Sequence, residues 1–249
     1  KEDILLTHSQ YHDRLIDWRD KGLLEWEEYK FLHTAHPKMP VLYLLPKIHK
    51  DPLNPPGRPI VSSIGSLLEH TSEYIDFFLG PFVKAMPSYI RDTKEFLKRI
   101  EGIHWDTDML MLGLDVTSLY TSIKHEDGIT AVRHFLRARS LHLYDHTEML
   151  IEMIHHCMHN NYFLFDNQHY KQLRGVAMGT CFAPNLAGLL MGCWEDTFVY
   201  PLKEFTDHVL LWIRYIDDLF ILWQGSENDA VKFIRVLNNN PYNLKFTHT

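Results

Sequence analysis

Two adjacent carboxylates, Asp217 and Asp218, interrupt the apolar and aromatic run RYIDDLFILW, which extends from Arg214 to Trp223. Two like charges about 4 Å apart at an effective dielectric near 20 repel by about 4 kcal/mol, which is much of a domain's net stability. Because aspartate favours turns and the flanks are rich in β-branched and aromatic residues, a plain hairpin is one explanation. The other is a turn that holds divalent cations, as paired carboxylates commonly do. This second explanation requires a further carboxylate elsewhere.

A third carboxylate, Asp115, ends another apolar run, in the stretch LGLDVTSLY. Taken alone, Asp115 could simply cap a following helix. If the two runs are neighbouring strands of one sheet, however, Asp115 meets the Asp217 and Asp218 pair at the same sheet edge. Such an edge would suit two cations that bridge the phosphates of an incoming nucleotide and a primer hydroxyl.

Hydrophobic periodicity and turn signals predict the elements that position these residues. Strands and helices mix without strict βαβ alternation, which predicts the α+β class. The predicted elements are helices within 8–33 with a break near Lys21 and Gly22, a hairpin of VLYLLPK and RPIVSSI, a helix LEHTSEYIDFFLGPFV that stops at Gly80 and Pro81, a buried strand MLMLGLD, helices near 129–136 and 147–159, a hairpin NYFLFDNQHYKQL, a helix from about Pro184, the Asp217 and Asp218 hairpin, a helix over 228–237 and a final strand NLKFTHT.

The composition limits the class of protein. A chain of 249 residues with 45% hydrophobic and 23% charged residues suits one large or two small globular domains. Three cysteines, Cys157, Cys181 and Cys193, form no CxxC pair, which favours a reduced intracellular environment over a disulfide framework or a structural zinc site. No signal peptide or transmembrane run is visible, so we expect a soluble protein without a membrane partner. The net charge of -7 argues mildly against nucleic acid as a partner, although a local basic groove can be hidden in that balance.

Histidines 155, 156 and 159 are a second candidate metal cluster. The motif from His155 to His159 contains no carboxylate, so we interpret these histidines as core or surface residues.

Three stretches, LGLDVTSLY, RGVAMGTCFAP and RYIDDLFILW, resemble the palm motifs A, B and C of reverse transcriptases and occur in the same order. Upstream, LPK and GRPIVSS resemble the finger motifs of that family. The motifs are most similar to those of Penelope-like retroelements, a group related to telomerase reverse transcriptase. The resemblance covers the chain from about Val41 to Thr249. It implies a right-hand polymerase fold with fingers and palm, an antiparallel palm sheet backed by helices, and no thumb.

The same resemblance implies how the chain is divided: an N-terminal helical segment over 1–40, fingers over 41–104, and a palm over 105–249 with motifs A, B, C and the start of D. The chain begins without Met and ends inside a predicted strand, so we interpret it as part of a longer polypeptide. The resemblance implies that the remainder includes a thumb and an endonuclease domain. The implied partners are an RNA template, a DNA primer and deoxynucleoside triphosphates, and the implied location is nuclear.

The resemblance also implies residue roles. Asp115, Asp217 and Asp218 would be the catalytic carboxylates and would hold two Mg²⁺ ions, which Mn²⁺ could replace. The backbone of Val116 and Thr117 would carry the second metal and the triphosphate.

Tyr120 matches a steric gate, a ring under the sugar that clashes with a 2′ hydroxyl. An ordinary core tyrosine is the alternative. Lys47 and Arg58 match finger residues that grip the triphosphate, which suits an ammonium and a guanidinium. Lys245 matches a late palm lysine that protonates pyrophosphate, but we interpret it as an exposed strand lysine.

In RGVAMGTCFAP, Met178 and Gly179 would contact the nucleotide, with Gly179 allowing a close backbone approach and Pro184 opening the next helix. Many reverse transcriptases have Gln where Met178 stands and Ser where Ala183 stands. A polar contact to the nucleotide and a helix cap are therefore missing here, which bears on sugar recognition and fidelity.

Together these features predict an RNA-directed DNA polymerase, a nucleotidyltransferase that adds deoxynucleotides to a primer 3′ end within a retrotransposon. One alternative is an inactive host-adopted remnant that binds nucleic acid or protein, against which the intact aspartates and Tyr120 argue. The other is a viral RNA-directed RNA polymerase, which shares the paired aspartates but must admit a 2′ hydroxyl, so Tyr120 argues against it.

Overall fold

The structure is a computed structural model that describes residues 2–137 and 144–248. These residues form helices and largely antiparallel sheets, which confirms the α+β class. The chain divides into two compact units, each made of two segments. Unit 1 comprises Lys1–Phe78 and Ile123–Ala183, and unit 2 comprises Leu79–Ser122 and Pro184–Thr249. The division into a helical segment, fingers and palm stays a prediction.

The elements match most of the predicted ones. In chain order they are α1 (Glu2–Asp20), α2 (Trp26–Leu32), β1 (Val41–Pro46), β2 (Gly57–Ser62), α3 (Glu69–Lys84), α4 (Thr93–Ile100), β3 (Met109–Val116), α5 (Leu119–Ser122), α6 (His125–Leu136), α7 (Tyr144–His159), β4 (Tyr162–Phe165), β5 (Gln168–Lys171), α8 (Ala183–Trp194), a π-helical turn (Glu195–Val199), α9 (Lys203–His208), β6 (Val209–Tyr215), β7 (Asp218–Gln224), α10 (Glu227–Asn238) and β8 (Phe246–His248). Thr249, the last residue of the predicted final strand, lies outside the described residues. None of the described helices is both long and apolar enough to cross a membrane.

Unit 1 contains a four-stranded sheet in the order β2-β1-β4-β5. Strands β1 and β2 are antiparallel, with Leu45 opposite Arg58. Strands β4 and β5 form the predicted hairpin, and its turn residues Asp166 and Asn167 both have positive φ, as the tightest hairpin turns require. The helices supply fully buried side chains such as Leu32 and Ile154 to the core of this unit.

Unit 2 contains an antiparallel sheet in the order β6-β7-β3-β8. Large aromatic side chains fill the core beside it, since Trp194 stacks on Phe246 with ring centroids 4.9 Å apart and Trp223 lies 5.1 Å from Phe233. Burial of such rings supplies much of the free energy that fixes a sheet. Asp115 lies in β3 and Asp218 begins β7, the two central strands.

Two predictions about these elements are wrong. Helix α3 does not stop at Pro81 but continues to Lys84, because the lost amide hydrogen bond of the proline is offset by burial of Leu79 and Val83 on either side. Strand β3 is not buried along its length, since the side chain of Met111 is 61% exposed. Helices α4 and α9 were not predicted at all, and neither has a buried residue.

Candidate active site

The register of β3 and β7 brings the predicted carboxylates to one end of the sheet in unit 2. Asp115 lies directly opposite Asp218, and the pair before them, Leu114 and Leu219, is buried. Asp217 lies in the two-residue turn between β6 and β7, where Ile216 has a φ of +56°. Asp115 and Asp218 are therefore exposed at the point where the buried part of the sheet ends.

Electrostatic repulsion is visible at this sheet end. Partial burial and the charge of Asp115 raise the pKa of Asp218 above its usual range. Within the described residues the carboxylate oxygens of the three aspartates do not all come within 4.8 Å of one another, and like charges favour rotamers that separate them.

The donor set fits a hard divalent cation. Asp115, Asp217 and Asp218 supply only oxygen ligands, two of them from exposed side chains. Such ligands suit Mg²⁺ and Mn²⁺ better than metals that prefer imidazole or thiolate.

The backbone next to Asp115 is partly occupied by the fold itself. The Val116 amide donates to the carbonyl of Asp217 at 3.1 Å, and the Thr117 amide donates to the carbonyl of Lys245 at 2.8 Å. The amides of Val116 and Thr117 are therefore engaged within unit 2. The carbonyl of Val116 remains the atom that could serve the predicted metal role.

Tyr120 lies in the same unit, in the short helix α5 that follows Asp115 after a turn at Ser118. Its side chain is half-buried. Position and burial agree with either a steric gate or a packing tyrosine, so its role stays a prediction.

A buried ion pair that the sequence pattern did not predict lies behind the turn that carries Asp217. Arg214 Nε donates to Glu195 Oε1 at 2.7 Å, and both side chains are almost fully buried, with exposed fractions of 2% and 1%. Ser88 Oγ donates to the other carboxylate oxygen at 2.6 Å, and Trp212 Nε1 donates to Oε1 at 3.0 Å. Glu195 is therefore bonded on both oxygens, as a buried carboxylate must be.

Arg214 connects this network to the turn. Its Nη1 donates to the carbonyl of Ile216 at 3.3 Å, and its backbone amide donates to the carbonyl of Ser88 at 2.7 Å. Ile216, whose φ is positive, is therefore hydrogen-bonded directly to a buried side chain. The signal in the sequence is a single charge in each of two apolar runs, GLLMGCWE and VLLWIR.

Lys47 and Arg58 lie together on the β1 and β2 hairpin of unit 1. The Lys47 amide continues the ladder by donating to the carbonyl of Pro56 at 2.9 Å, so Lys47 and Arg58 are diagonal neighbours on one face of the hairpin. Arg58 is exposed and Lys47 is half-buried, and in the described part of the chain neither side chain has an ion-pair partner. Two cationic groups are therefore available on one surface.

Met178 and Gly179, also in unit 1, lie against β2. The amide of Val61 donates to the carbonyl of Met178 at 2.9 Å, and Ser63 Oγ donates to the carbonyl of Gly179 at 2.9 Å. Gly179 has a φ of +130°, and a Cβ there would lie 2.2 Å from the Val61 carbonyl oxygen. Part of the requirement for glycine therefore comes from close packing inside the unit.

We expect Gly179→Ala to lower the free energy of unfolding by about 2–4 kcal/mol, because it adds backbone strain and an overlap with main-chain atoms that cannot move away alone. Gly22→Ala is the matched control, since Gly22 also has positive φ but open space around its Cβ. Denaturant unfolding of both variants checks this. Equal losses for the two would contradict the packing role of Gly179.

Several other predicted residues have structural roles. His156 stacks on Tyr11 with ring centroids 4.4 Å apart, and burial lowers its pKa to about 4. The Cys157 thiol is buried. Lys245 is exposed, and its Nζ donates to the carbonyl of Asn238 at 2.8 Å at the end of α10.

No family model matches the chain, and no curated protein matches it. Solved structures are nevertheless similar in fold. They include telomerase from Candida tropicalis with a TWJ fragment of telomeric RNA (TM-score 0.64, 13% identity, 87% of this chain and 41% of that one), the apo form of that telomerase truncated of its C-terminal domain (0.60, 13%, 86% and 51%), and telomerase from Candida albicans with a TWJ fragment (0.60, 11%, 96% and 47%).

The likeness to telomerase, a reverse transcriptase, extends over most of this chain. The chain spans about half or less of the length of these proteins. At such low identity the comparison shows the fold: a mixed α+β architecture with antiparallel sheets similar to that of telomerase.

Proposed function

We propose that this chain is the fingers and palm of an RNA-directed DNA polymerase, which adds deoxynucleotides to a primer 3′ end. The observation that carries the proposal is the pairing of Asp115 with Asp218 across two central strands, with Asp217 in the adjoining turn. The telomerase-like fold supports it. The two telomerase structures with telomeric RNA also make RNA a natural partner to test.

The carboxylates have the central role in this proposal. Asp115, Asp217 and Asp218 would hold two Mg²⁺ ions, with Mn²⁺ as a substitute and the Val116 carbonyl as a further ligand. When bound, the ions would activate the primer hydroxyl and neutralise the leaving pyrophosphate. Since the protein supplies no covalent chemistry, catalysis would consist of positioning and charge stabilisation.

Further residues are proposed to contact the nucleotide. Lys47 and Arg58 would bind the triphosphate through a point charge and a bidentate fork. The Thr117 amide is already bonded to Lys245, so Thr117 would act through its exposed side chain. Met178 and Gly179 would contact the base or sugar, and the absence of a polar side chain at 178 predicts weaker hydrogen-bond recognition there.

We further propose that the polymerase belongs to a Penelope-like retrotransposon and copies its RNA for DNA integration in the nucleus. This part rests on the amino-acid sequences of the three palm motifs, which resemble those of Penelope-like elements. A thumb and an endonuclease domain would complete the polypeptide.

Primer extension on RNA and DNA templates with Mg²⁺ tests the activity. We expect extension with deoxynucleotides on RNA. If the chain alone is inactive, the assay is repeated with a polypeptide extended through the thumb, because this part alone could hold primer and template poorly. Primer-template binding without extension by either polypeptide would favour the inactive remnant instead.

Replacing Tyr120 with Ala should admit ribonucleotides. Without a ring under the sugar, the preference in kcat/KM for deoxynucleotides over ribonucleotides should fall by about 10²-fold, the usual limit of steric discrimination by one pocket. Single-nucleotide incorporation measures the ratio. Tyr170→Ala, an exposed tyrosine on β5, is the control. An unchanged ratio in the Tyr120 variant would leave Tyr120 as a packing residue, and equal use of both sugars by the wild type would favour the RNA polymerase alternative.

A further inference from the structure

Helices α6 and α7 of unit 1 bring together a carboxylate and two imidazoles that the proposed polymerase reaction does not use. Glu126 comes from the first turn of α6, and His155 and His159 come from the last turns of α7. One ligand atom from each of the three lies within 4.8 Å of the other two. The preceding helix therefore supplies the carboxylate of the cluster.

Helix geometry makes the arrangement specific. Residues four apart lie one above the other on a helix face. The rings of His155 and His159 are therefore stacked, with centroids 3.9 Å apart. The helices run antiparallel, because at the opposite end of the pair Arg133 Nη2 donates to Glu148 Oε2 at 2.9 Å. That ion pair joins the opposite ends of the two helices in the alignment that sets Glu126 against the two histidines.

A hydrogen bond orients the His159 imidazole. His159 Nδ1 lies 2.9 Å from the carbonyl oxygen of His155, and since a carbonyl only accepts, Nδ1 carries the proton. The lone pair is then on Nε2, which is the form and orientation found in metal-binding histidines. His125 borders the cluster, with its ring edge-on to His159 at 4.5 Å and its Nε2 donating to the carbonyl of Gly175.

We propose that Glu126, His155 and His159 bind a divalent transition-metal ion, with Zn²⁺ the best match, and that the ion links α6 to α7. Two imidazoles and one carboxylate, with a water as fourth ligand, form a common zinc coordination set. Glu126 and His155 are exposed, so both the ion and the water can reach the site. Mg²⁺ and Ca²⁺ prefer oxygen ligands alone, so they would not compete well for it.

Zn²⁺ titration of the chelator-treated chain by calorimetry tests the site. The titration is done in excess Mg²⁺ and with Asp217→Asn in every protein, so that Zn²⁺ binding at the aspartates of unit 2 does not contribute to the signal. We expect one site, with His159→Ala and Glu126→Gln each weakening affinity by at least about tenfold, as loss of one of three ligands should. His146→Ala is the matched control, because His146 is an exposed histidine on the same helix outside the cluster.

Two further measurements make the result decisive. Co²⁺ in place of Zn²⁺ should give the visible absorption of a tetrahedral site in the wild type and in His146→Ala, and that absorption should be lost in His155→Ala. Zn²⁺ should raise Tm in the wild type but not in His159→Ala, because a ligand stabilises only the state that binds it. Unchanged affinity in all three cluster variants, or an equal loss in His146→Ala, would overturn the proposal. Equal Tm values of all variants in chelator show that each one folds.

Discussion

Asp217→Asn is expected to lower the rate of primer extension by about 10³-fold or more. Asparagine keeps the size and the turn preference of aspartate but removes a charge that would hold a divalent cation. Metal ions supply several kcal/mol of transition-state stabilisation, and each 1.36 kcal/mol is a factor of ten in rate. Single-turnover extension in Mg²⁺ measures the loss, and Asp218→Asn should behave in the same way.

The control for this result is Asp166→Asn, the same change in the exposed turn of the β4 and β5 hairpin. It should leave both activity and stability unchanged, because asparagine tolerates positive φ at least as well as aspartate. Extension by Asp217→Asn at the wild-type rate would refute the metal role of the sheet end.

The Asp218→Asn substitution should raise the stability of the protein while it lowers its activity. Its pKa is raised in the folded protein, so ionisation above that pKa costs more in the folded state than in the unfolded one. Stability is therefore lost as the pH rises through the raised pKa, and Asp218→Asn should remove this loss at neutral pH. A variant that is inactive but at least as stable as the wild type would show that the carboxylate serves function and not folding.

The sequence predicted that Asp115 meets Asp217 and Asp218 at one end of a sheet, because the two signals for this arrangement are local. The apolar runs before Asp115 and around Asp217 define strands, and a charge at the end of each defines the edge. Hairpins were predicted equally well where the turn residues need positive φ, as at Asp166 and Asn167.

Other features depend on contacts between residues that are far apart in the sequence. Hydrophobic periodicity carries no information about such contacts. Pro81 is tolerated within α3 only because its neighbours are buried, and Glu126 reaches the two histidines only because α6 and α7 pair. The engagement of the Val116 and Thr117 amides likewise depends on the turn at Asp217 and on Lys245. The Glu195 and Arg214 pair has a local sign in the sequence, which is a single charge in each of two apolar runs, but that sign does not show that the two residues meet.

Glu195→Ala is expected to have the largest effect on stability, lowering the free energy of unfolding by about 3–5 kcal/mol. The substitution leaves the Arg214 guanidinium buried with its charge uncompensated, and it removes the acceptor of Ser88 and Trp212. Denaturant unfolding measures the loss. Glu148→Ala is the control, because it breaks a half-exposed pair with Arg133 and should cost no more than about 1 kcal/mol. Equal losses would contradict the importance of burial.

A double variant separates stability from positioning. Replacing Glu195 with Leu and Arg214 with Met should recover the part of the stability that the uncompensated charge costs, since an apolar pair often replaces a buried ion pair without loss. The part that comes from the lost acceptor of Ser88 and Trp212 should not return. The double variant cannot restore the hydrogen bond from Arg214 to the Ile216 carbonyl, which holds the turn that carries Asp217. Because a small displacement of a catalytic group is costly in rate, kcat for primer extension should stay low while KM changes little. Recovery of kcat together with stability would show that the ion pair acts on folding alone and that the turn needs no support from Arg214.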